Sequence, residues 1–213
     1  VSISLNLKSL FTGFSITKMS NEELIQRYAV KKESHLLGQL YDNCERDLYH
    51  FLLSLSDSQL AQEVAQRTWL KVIEKSHLYT EHGSFKSWLF TIGRRCLIDE
   101  YRTQGRFHEL FADSIEDDKV LDSSLSDNRH DGSANLTNLE LVYASESNSS
   151  LIHQFNIALG LLPFPQKEAF CLQQEGFSFA EIAELTSSEV ETVKSRIRYA
   201  KRALKKYLEK YRD

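Results

Sequence analysis

The residues with the most chemical content lie near the C-terminal end. Thr192, Lys194, Ser195, Arg196, Arg198, Lys201 and Arg202 fall on one side of a stretch whose other side is Val190, Val193, Ile197, Ala200 and Leu204. Spacings of three and four put the apolar set on one buried helical stripe and the cations opposite it. Cations on an outward helical face neutralise phosphates, and an arginine there can pair with both acceptors on a guanine edge. Ser188 followed by Glu191 has the pattern of a capping box opening this helix, whose N-terminus would then seat a phosphate. Just upstream, Ser178 followed by Glu181 opens a shorter helix with Ile182, Ala183 and Leu185 on its apolar side, and Thr186-Ser187 interrupts it. A short helix, a sharp turn and a longer cationic helix form the helix-turn-helix plan, in which the second helix enters the DNA major groove. Basic surface helices are common because Lys and Arg are good soluble helix formers. Two capping boxes with almost nothing between them are not common.

A second constellation mixes aromatics with cations. Phe85, Trp88, Leu89, Ile92 and Cys96 recur at helical spacing, with Lys86, Arg94, Arg95, Arg102 and Arg106 among them. The loop before them holds Tyr79 and His82, ends at Gly83, and offers Ser84 as a cap. Bases stack on aromatic faces while cations hold the backbone, so this pattern suits single-stranded nucleic acid. Trp88 reads as a core residue at this spacing, whereas Tyr79 and Phe85, at the loop and its edge, read as exposed.

The elements that must position these groups are helical throughout. Only 2 Pro and 8 Gly in 213 residues, with abundant Leu, Ala, Glu, Lys and Arg, predict an all-α chain. Ser20 and Glu23 form a capping box ahead of Leu24, Ile25 and Tyr28. A helix follows from Glu33 to Leu55, burying Leu36, Leu37, Leu40, Tyr41, Cys44, Leu48, Phe51 and Leu52. Ser56 and Gln59 are expected to cap a third, with Leu60, Val64, Thr68, Trp69, Val72 and Ile73 inward and Gln62, Glu63, Gln66, Arg67 and Lys71 outward. Residues 107–150 lose periodicity and fill with Asp, Glu, Ser and Asn, as expected of a flexible acidic linker. Helical pattern resumes at Leu151 and breaks at Pro163-Phe-Pro165. Pro165 suits the first turn of the next helix, whose inward residues are Ala169, Phe170 and Leu172 and which Gly176 ends. The expected architecture is two small helical domains, residues 20–106 and 151–213, joined by linker 107–150. Residues 1–19 form an N-terminal extension. Within it, residues 1–18 alternate like a strand that has no partner, and Met19, the only Met, is the expected start of translation.

Composition narrows the function classes. No apolar run is long enough to span a bilayer, and residues 1–18 lack the build of a signal peptide. Cys44, Cys96 and Cys171 are far apart without zinc spacing, which predicts buried free thiols in a reducing cytoplasm. No Gly-rich phosphate loop, metal constellation or nucleophile motif is present, so neither catalysis nor a cofactor is expected. Net charge is −4, unusual for a chain that grips DNA unaided, because nonspecific affinity comes from neutralising phosphates. The cations are therefore concentrated in patches or assisted by a partner. One arrangement consistent with this has the acidic linker masking the basic halves in the free protein.

In order and spacing, these segments resemble an extracytoplasmic-function sigma factor of bacterial RNA polymerase, over about residues 35–210 apart from the linker. Ala61-Gln-Glu-Val-Ala-Gln-Arg-Thr-Trp69 resembles the segment that docks on the polymerase clamp, which implies core-polymerase contacts at Glu63, Val64, Gln66 and Arg67; Arg67 stands where the family carries an acid. Residues 85–102 resemble the −10 reading and melting segment, with Trp88, Arg94, Asp99 and Arg102 matching and Arg95 replacing an Asn. The loop 79–84 corresponds to the base-capturing loop. The resemblance thus implies −10 contacts by Tyr79, His82, Phe85, Lys86, Trp88, Arg94, Arg95 and Arg102. Thr192-Val-Lys-Ser-Arg196 resembles the recognition-helix motif, although Glu191 replaces its Gly. It implies −35 contacts by Ser188, Thr192, Lys194, Ser195, Arg196, Arg198 and Lys201. The implied partners are core RNA polymerase and promoter DNA, with an anti-sigma factor as a family expectation. The rivals are a dimeric stand-alone helix-turn-helix regulator, an enzyme with an incidental helix-turn-helix, and an adaptor that binds polymerase without promoter specificity.

Overall fold

Local caps set most of the helix ends. The computed structural model describes residues 19–80, 83–112 and 146–211, and every regular element among them is helical. Ser20 accepts the Glu23 N–H at 3.2 Å and Glu23 accepts the Ser20 N–H at 3.2 Å, so a capping box opens α1 (Asn21–Lys31). The stripe of α2 (Ser34–Leu55) buries Leu36, Leu40, Cys44, Leu48, Phe51, Leu52 and Leu55. Tyr41, expected in that stripe, is turned about 100° from the Leu40–Cys44 line; it lies exposed with its ring 5.1 Å from that of Trp69.

α3 (Ser58–Lys75) is capped by Asp57, whose carboxylate accepts the Leu60 N–H at 2.9 Å, and not by Ser56 with Gln59. The Ser56 hydroxyl instead donates to the Leu52 carbonyl at 2.8 Å and closes α2. Ile73 leaves the expected buried stripe and faces outward. A 3-10 turn (Ser76–Leu78) and a loop ending at Gly83, at φ 97°, lead into α4 (Phe85–Thr103). Ser84 accepts the Ser87 N–H at 3.1 Å, and Glu22 of α1 accepts the Phe85 N–H at 2.9 Å, so two side chains cap α4. The first four helices pack into one bundle, α1 and α3 on α2 and α3 on α4. The expected linker begins with a helix, α5 (Phe107–Ala112). Phe107 and Phe111 stack at 4.6 Å, and Phe111 lies 5.1 Å from Phe164, which gives this stretch an apolar anchor.

The C-terminal helices are α6 (Glu146–Gly160), α7 (Phe164–Gln174), α8 (Phe179–Thr186) and α9 (Val190–Leu208), followed by a 3-10 turn (Glu209–Tyr211). Pro165 sits in the first turn of α7. Gly176, at φ 88°, follows α7 where the Phe177 N–H returns to the Leu172 carbonyl at 3.2 Å, a Schellman ending that requires the left-handed backbone. Val193, Ile197, Ala200 and Leu204 of α9 are buried, and α9 packs on α6, α7 and α8. The two halves share one core: α7 lies on α2, α8 on α4, and α5 on α7.

Cys44, Cys96 and Cys171 are buried free thiols. No described helix is long and apolar enough to cross a membrane. The strand pattern of residues 1–18, the acidic stretch 113–145 and His82 lie outside the described residues.

Candidate nucleic-acid interface

Ser178 and Glu181 form the expected capping box of α8, with the Ser178 N–H donating to Glu181 at 2.8 Å. Ser187, at φ 53°, ends the helix, and the Ser188 N–H reaches back to the Ala183 carbonyl at 2.9 Å. That left-handed residue leaves Ser188 one position before the cap of the next helix. The N-cap of α9 is therefore Glu189, with no side-chain bond, and the capping box expected of Ser188 and Glu191 does not form. The Ser188 hydroxyl instead accepts from Arg196 at 2.8 Å. Arg196 thus braces the turn and is not on the outward face. Glu189 and Glu191 stand at the positive end of α9, so the phosphate seat expected at Ser188 is already supplied with negative charge.

The outward face of α9 carries Lys194, Arg198, Lys201 and Arg202, all exposed, with Thr192 and Ser195 half-buried at its edges. Lys194 bonds Glu191 at 2.7 Å, but both side chains are largely exposed, and such pairs exchange readily for a phosphate. The Arg198 guanidinium lies 5.3 Å from the Tyr199 ring centre. A row of long cations on a helix anchored by its buried stripe has the form that can enter a major groove.

At the other module, Tyr79 packs edge-on against Trp88 at 5.4 Å and Phe85 at 6.1 Å, and its hydroxyl donates to the Gly83 carbonyl at 3.3 Å. Phe85 is 0% exposed, so it is the floor of this aromatic group and cannot itself meet a base. It is the first residue of α4, and the Glu22 cap draws that helix start onto α1. Burial acts to raise the Glu22 pKa, but the N–H donors of Phe85 and Glu22 and the Ser20 side chain outweigh it and hold the carboxyl below its usual range. Tyr79 and Trp88 are half-buried and present the accessible rings.

The cations of α4 divide between two faces. Arg95 and Arg102 are exposed on the side of Trp88, and Arg102 stacks on the Phe107 ring at 4.8 Å while bonding Asp99 at 3.4 Å. Lys86 and Arg94, with Phe90 between them at helical spacing, point the other way. Arg94 donates to both oxygens of Glu168 in α7, at 2.7 and 3.1 Å. Lys86 donates to Asp47 at 2.9 Å, to the Glu175 carboxylate at 3.1 Å and to the Glu175 carbonyl at 2.9 Å. Burial acts to lower the Lys86 pKa, but Asp47 and Glu175 outweigh it and hold the ammonium above its usual range. Burial pushes Glu175 up, by more than Lys86 draws it down. Lys86 and Arg94, expected to be open to DNA, are therefore sealed against the C-terminal helices in this form of the chain.

On α3, Gln62, Glu63 and Gln66 face outward, Glu63 accepting from Gln59 at 3.0 Å. Val64 is 0% exposed and cannot touch a partner, because it lies on the buried stripe one residue round the helix from Glu63. Arg67 is turned toward α4 and bonds Glu100 at 3.0 Å, which together with the Gln104 bond holds Glu100 below its usual carboxylate range. Sequence reasoning missed Leu70, which is 61% exposed on the same outward face as Gln59, Glu63 and Gln66. An apolar residue breaking the polar register of an outward face was the signal for it.

Residues 40–107 match the family model Sigma-70 region 2, and residues 156–204 match Sigma-70, region 4. The chain is similar to ECF RNA polymerase sigma factor SigL of Mycobacterium tuberculosis, 28% identical over 182 residues, covering 83% of this chain and 91% of that protein. It is similar to ECF RNA polymerase sigma factor EcfG of Rhodopseudomonas palustris at 28% over 72% of this chain and 75% of that one. ECF RNA polymerase sigma factor SigX of Bacillus subtilis is 33% identical over 66 residues, 30% of this chain and 34% of that protein. Among solved structures, the sigma factor RpoE from Bartonella quintana, crystallised with the anti-sigma factor NepR, superposes with a TM-score of 0.57 at 26% identity. It covers 81% of this chain and 96% of its own. CnrH, solved with the cytosolic domain of CnrY, shares the fold at a TM-score of 0.58 and 18% identity, over 89% of this chain and 97% of its own.

Proposed function

Because the chain belongs to the extracytoplasmic-function sigma factors of RNA polymerase, we infer that its two modules read two separate promoter elements while riding on core polymerase. The outward face of α3, with Glu63, Gln66 and Leu70, docks on the polymerase. Tyr79 and Trp88 receive an unstacked base of the −10 strand while Arg95 and Arg102 hold its backbone, which offsets the cost of unstacking. Lys86 and Arg94 join them once released from Glu175 and Glu168. The −35 element is read by Lys194, Ser195, Arg198 and Lys201, with Thr192 at the edge of that face; Ser188 and Arg196 shape the turn that presents it. Residues 20–106 and 151–213 serve as the two promoter-reading domains.

The observation that carries this reading is the pairing of an aromatic, cationic face on α4 with a separate cationic recognition helix on α9. A repressor has no use for a surface that stacks single bases. An anti-sigma factor is a further partner, supported by the similarity to a sigma factor crystallised with one. The test is run-off transcription with purified core polymerase on genomic fragments. Discrete start sites that depend on the chain are expected. Failure to associate with core polymerase, with operator binding as a dimer, would overturn the reading.

A further inference from the structure

We propose that α1 is the jig of the base receptor: Lys32 and Glu22 hold the ends of α3 and α4 so that Tyr79 and Trp88 stand together as the face that accepts an unpaired base. The proposal rests on the reading above that these two rings receive a base of the −10 strand. It adds two positioning residues, which act through the rings and do not touch the base.

The two rings come from different elements. Tyr79 follows the turn that closes α3, and its N–H donates to the Ser76 carbonyl at 3.3 Å. Trp88 lies in the first turn of α4, which starts at Phe85. Each of those helix ends is tied to α1 by a charged side chain. The Lys32 ammonium donates to the Ser76 hydroxyl at 2.6 Å, and that hydroxyl donates onward to the Ile73 carbonyl at 3.1 Å. Glu22 accepts the Phe85 N–H at 2.9 Å. The charges match the ends they meet, a cation at the carbonyl end of α3 and a carboxylate at the N–H end of α4. Ser76 is 0% exposed, so its hydroxyl depends on partners supplied by the protein. Lys32 stands at φ 55°, a backbone that glycine adopts at lower cost. In exchange for that cost, α1 ends on a long cation, whose ammonium lies 5.1 Å from the Tyr28 ring centre.

The chain between the rings does not set their arrangement by itself. Ser76 and Phe85 are nine residues apart, a length that could span about 30 Å when extended. Glu22 and Lys32 are ten residues apart, which is about 15 Å along a helix. α1 therefore takes up slack that the connection leaves. Tyr79 and Trp88 meet edge-on at 5.4 Å, and both rings pack on the buried Phe85. Stacking is short-ranged, and a gap of about 1 Å forfeits up to about half of a dispersion contact. Loosening either helix end thus weakens the receptor while leaving both rings in the chain.

Two measurements test the jig. In the free chain carrying Trp69→Phe, Trp88 is the one tryptophan left, and acrylamide quenching reads how Tyr79 covers it. Lys32→Met keeps the stem and removes the ammonium. It should raise the quenching constant toward that of Tyr79→Ala, and so should Glu22→Ala. Glu22→Gln, which keeps an acceptor for the Phe85 N–H, should stay at the wild-type value. An unchanged constant in either Lys32→Met or Glu22→Ala would overturn the jig. The second measurement uses the chain assembled with core polymerase and a synthetic oligonucleotide carrying the unpaired −10 strand of a promoter mapped by run-off transcription. Tyr79→Ala should raise Kd for this strand about five- to a hundredfold, the worth of one base stack. Lys32→Met alone should raise it at least about fivefold, and should add nothing in the Tyr79→Ala background, because a positioning residue acts through the ring it positions. Affinity for a duplex −35 fragment should stay within about twofold in every variant. An equal loss in both backgrounds, or a parallel loss on the −35 fragment, would overturn positioning and mark general damage to the fold. Wild-type strand affinity in Tyr79→Ala would defeat the reading of these rings as a base receptor, while quenching would still decide whether α1 sets them.

Discussion

Leu70 and Val64 stand six residues apart on α3 and should respond to truncation in opposite ways. Leu70 is 61% exposed, on the face that also presents Glu63 and Gln66, and Val64 is 0% exposed in the core. Burying a whole leucine side chain is worth about 1.5–3 kcal/mol. Covering the exposed part of Leu70 against polymerase is then worth about 1–2 kcal/mol, which Leu70→Ala forfeits as a roughly five- to thirtyfold rise in Kd. The same change trims a mostly exposed side chain and should leave the melting temperature nearly unmoved. Val64→Ala removes buried methyl groups and should cost about 1.5–3 kcal/mol of stability, with Kd unchanged wherever the chain is folded. The assay is fluorescence anisotropy of the labelled chain titrated with core polymerase, paired with thermal melts of each variant. Glu63→Arg on the same face should weaken binding as well. Wild-type affinity within twofold for both Leu70→Ala and Glu63→Arg would refute α3 as the docking face. Loss of affinity in Val64→Ala with an intact melting temperature would refute the argument from burial.

Arg198→Ala should weaken −35-dependent initiation. If the side chain grips phosphate, the slope of log K against log salt should fall by about 0.9, and if it reads guanine, discrimination at that base should drop by about 1–3 kcal/mol; unchanged initiation would remove Arg198 from the interface. Gly93→Ala should lower the melting temperature, because the new Cβ would stand 2.9 Å from Leu48 Cδ1 where α4 crosses α2, an overpacking cost of about 1–3 kcal/mol. Glu22→Ala should cost about 1 kcal/mol through loss of the α4 cap. Since the folded-state pKa of Glu22 is lowered, that contribution is present above its unfolded value and is lost as pH falls through the folded one, so urea titrations should show wild type and variant converging in acid. Burial pushes the Cys44 and Cys171 thiols up to about 11. Their alkylation at pH 8 should proceed from a thiolate fraction of about one in a thousand and climb tenfold per pH unit; a plateau near pH 9 would contradict this.

The helices were legible wherever one local rule decided the matter. Ser20 with Glu23 and Ser178 with Glu181 formed the expected capping boxes, Pro165 took the first turn of α7, and the apolar stripe of α9 is buried from Val193 onward. Ser188 with Glu191 has the same spacing and fails, because the left-handed Ser187 is closed by contacts within α8 and shifts the cap to Glu189. Phe85 looked exposed because it borders a loop. What buries it is the bundle core with α1 behind it, and Glu22, 63 positions away, caps its helix. The division of the α4 cations was beyond reach for the same reason. Arg94 and Arg95 are neighbours in sequence, yet one meets a carboxylate 74 positions downstream while the other stays exposed. Periodicity orients a side chain on its own helix and is silent about which distant helix lies opposite.

A net charge of −4 and the two DNA-reading faces proposed above are compatible once range is considered. Charges more than about 8 Å apart are largely screened at physiological ionic strength, so a phosphate at α9 responds to Lys194, Arg198, Lys201 and Arg202 and hardly at all to distant acids. Four cations on a single helix face make a weak nonspecific binder, and the aromatic patch of α4 is equally modest alone. Tethering both to one polymerase raises the effective concentration of the second reader once the first has bound, and this multiplies two weak contacts into one strong one. The gain vanishes when geometry forbids simultaneous engagement. On the proposed reading, modest affinity at each face keeps the free chain off the genome and leaves promoter binding as a property of the assembled enzyme.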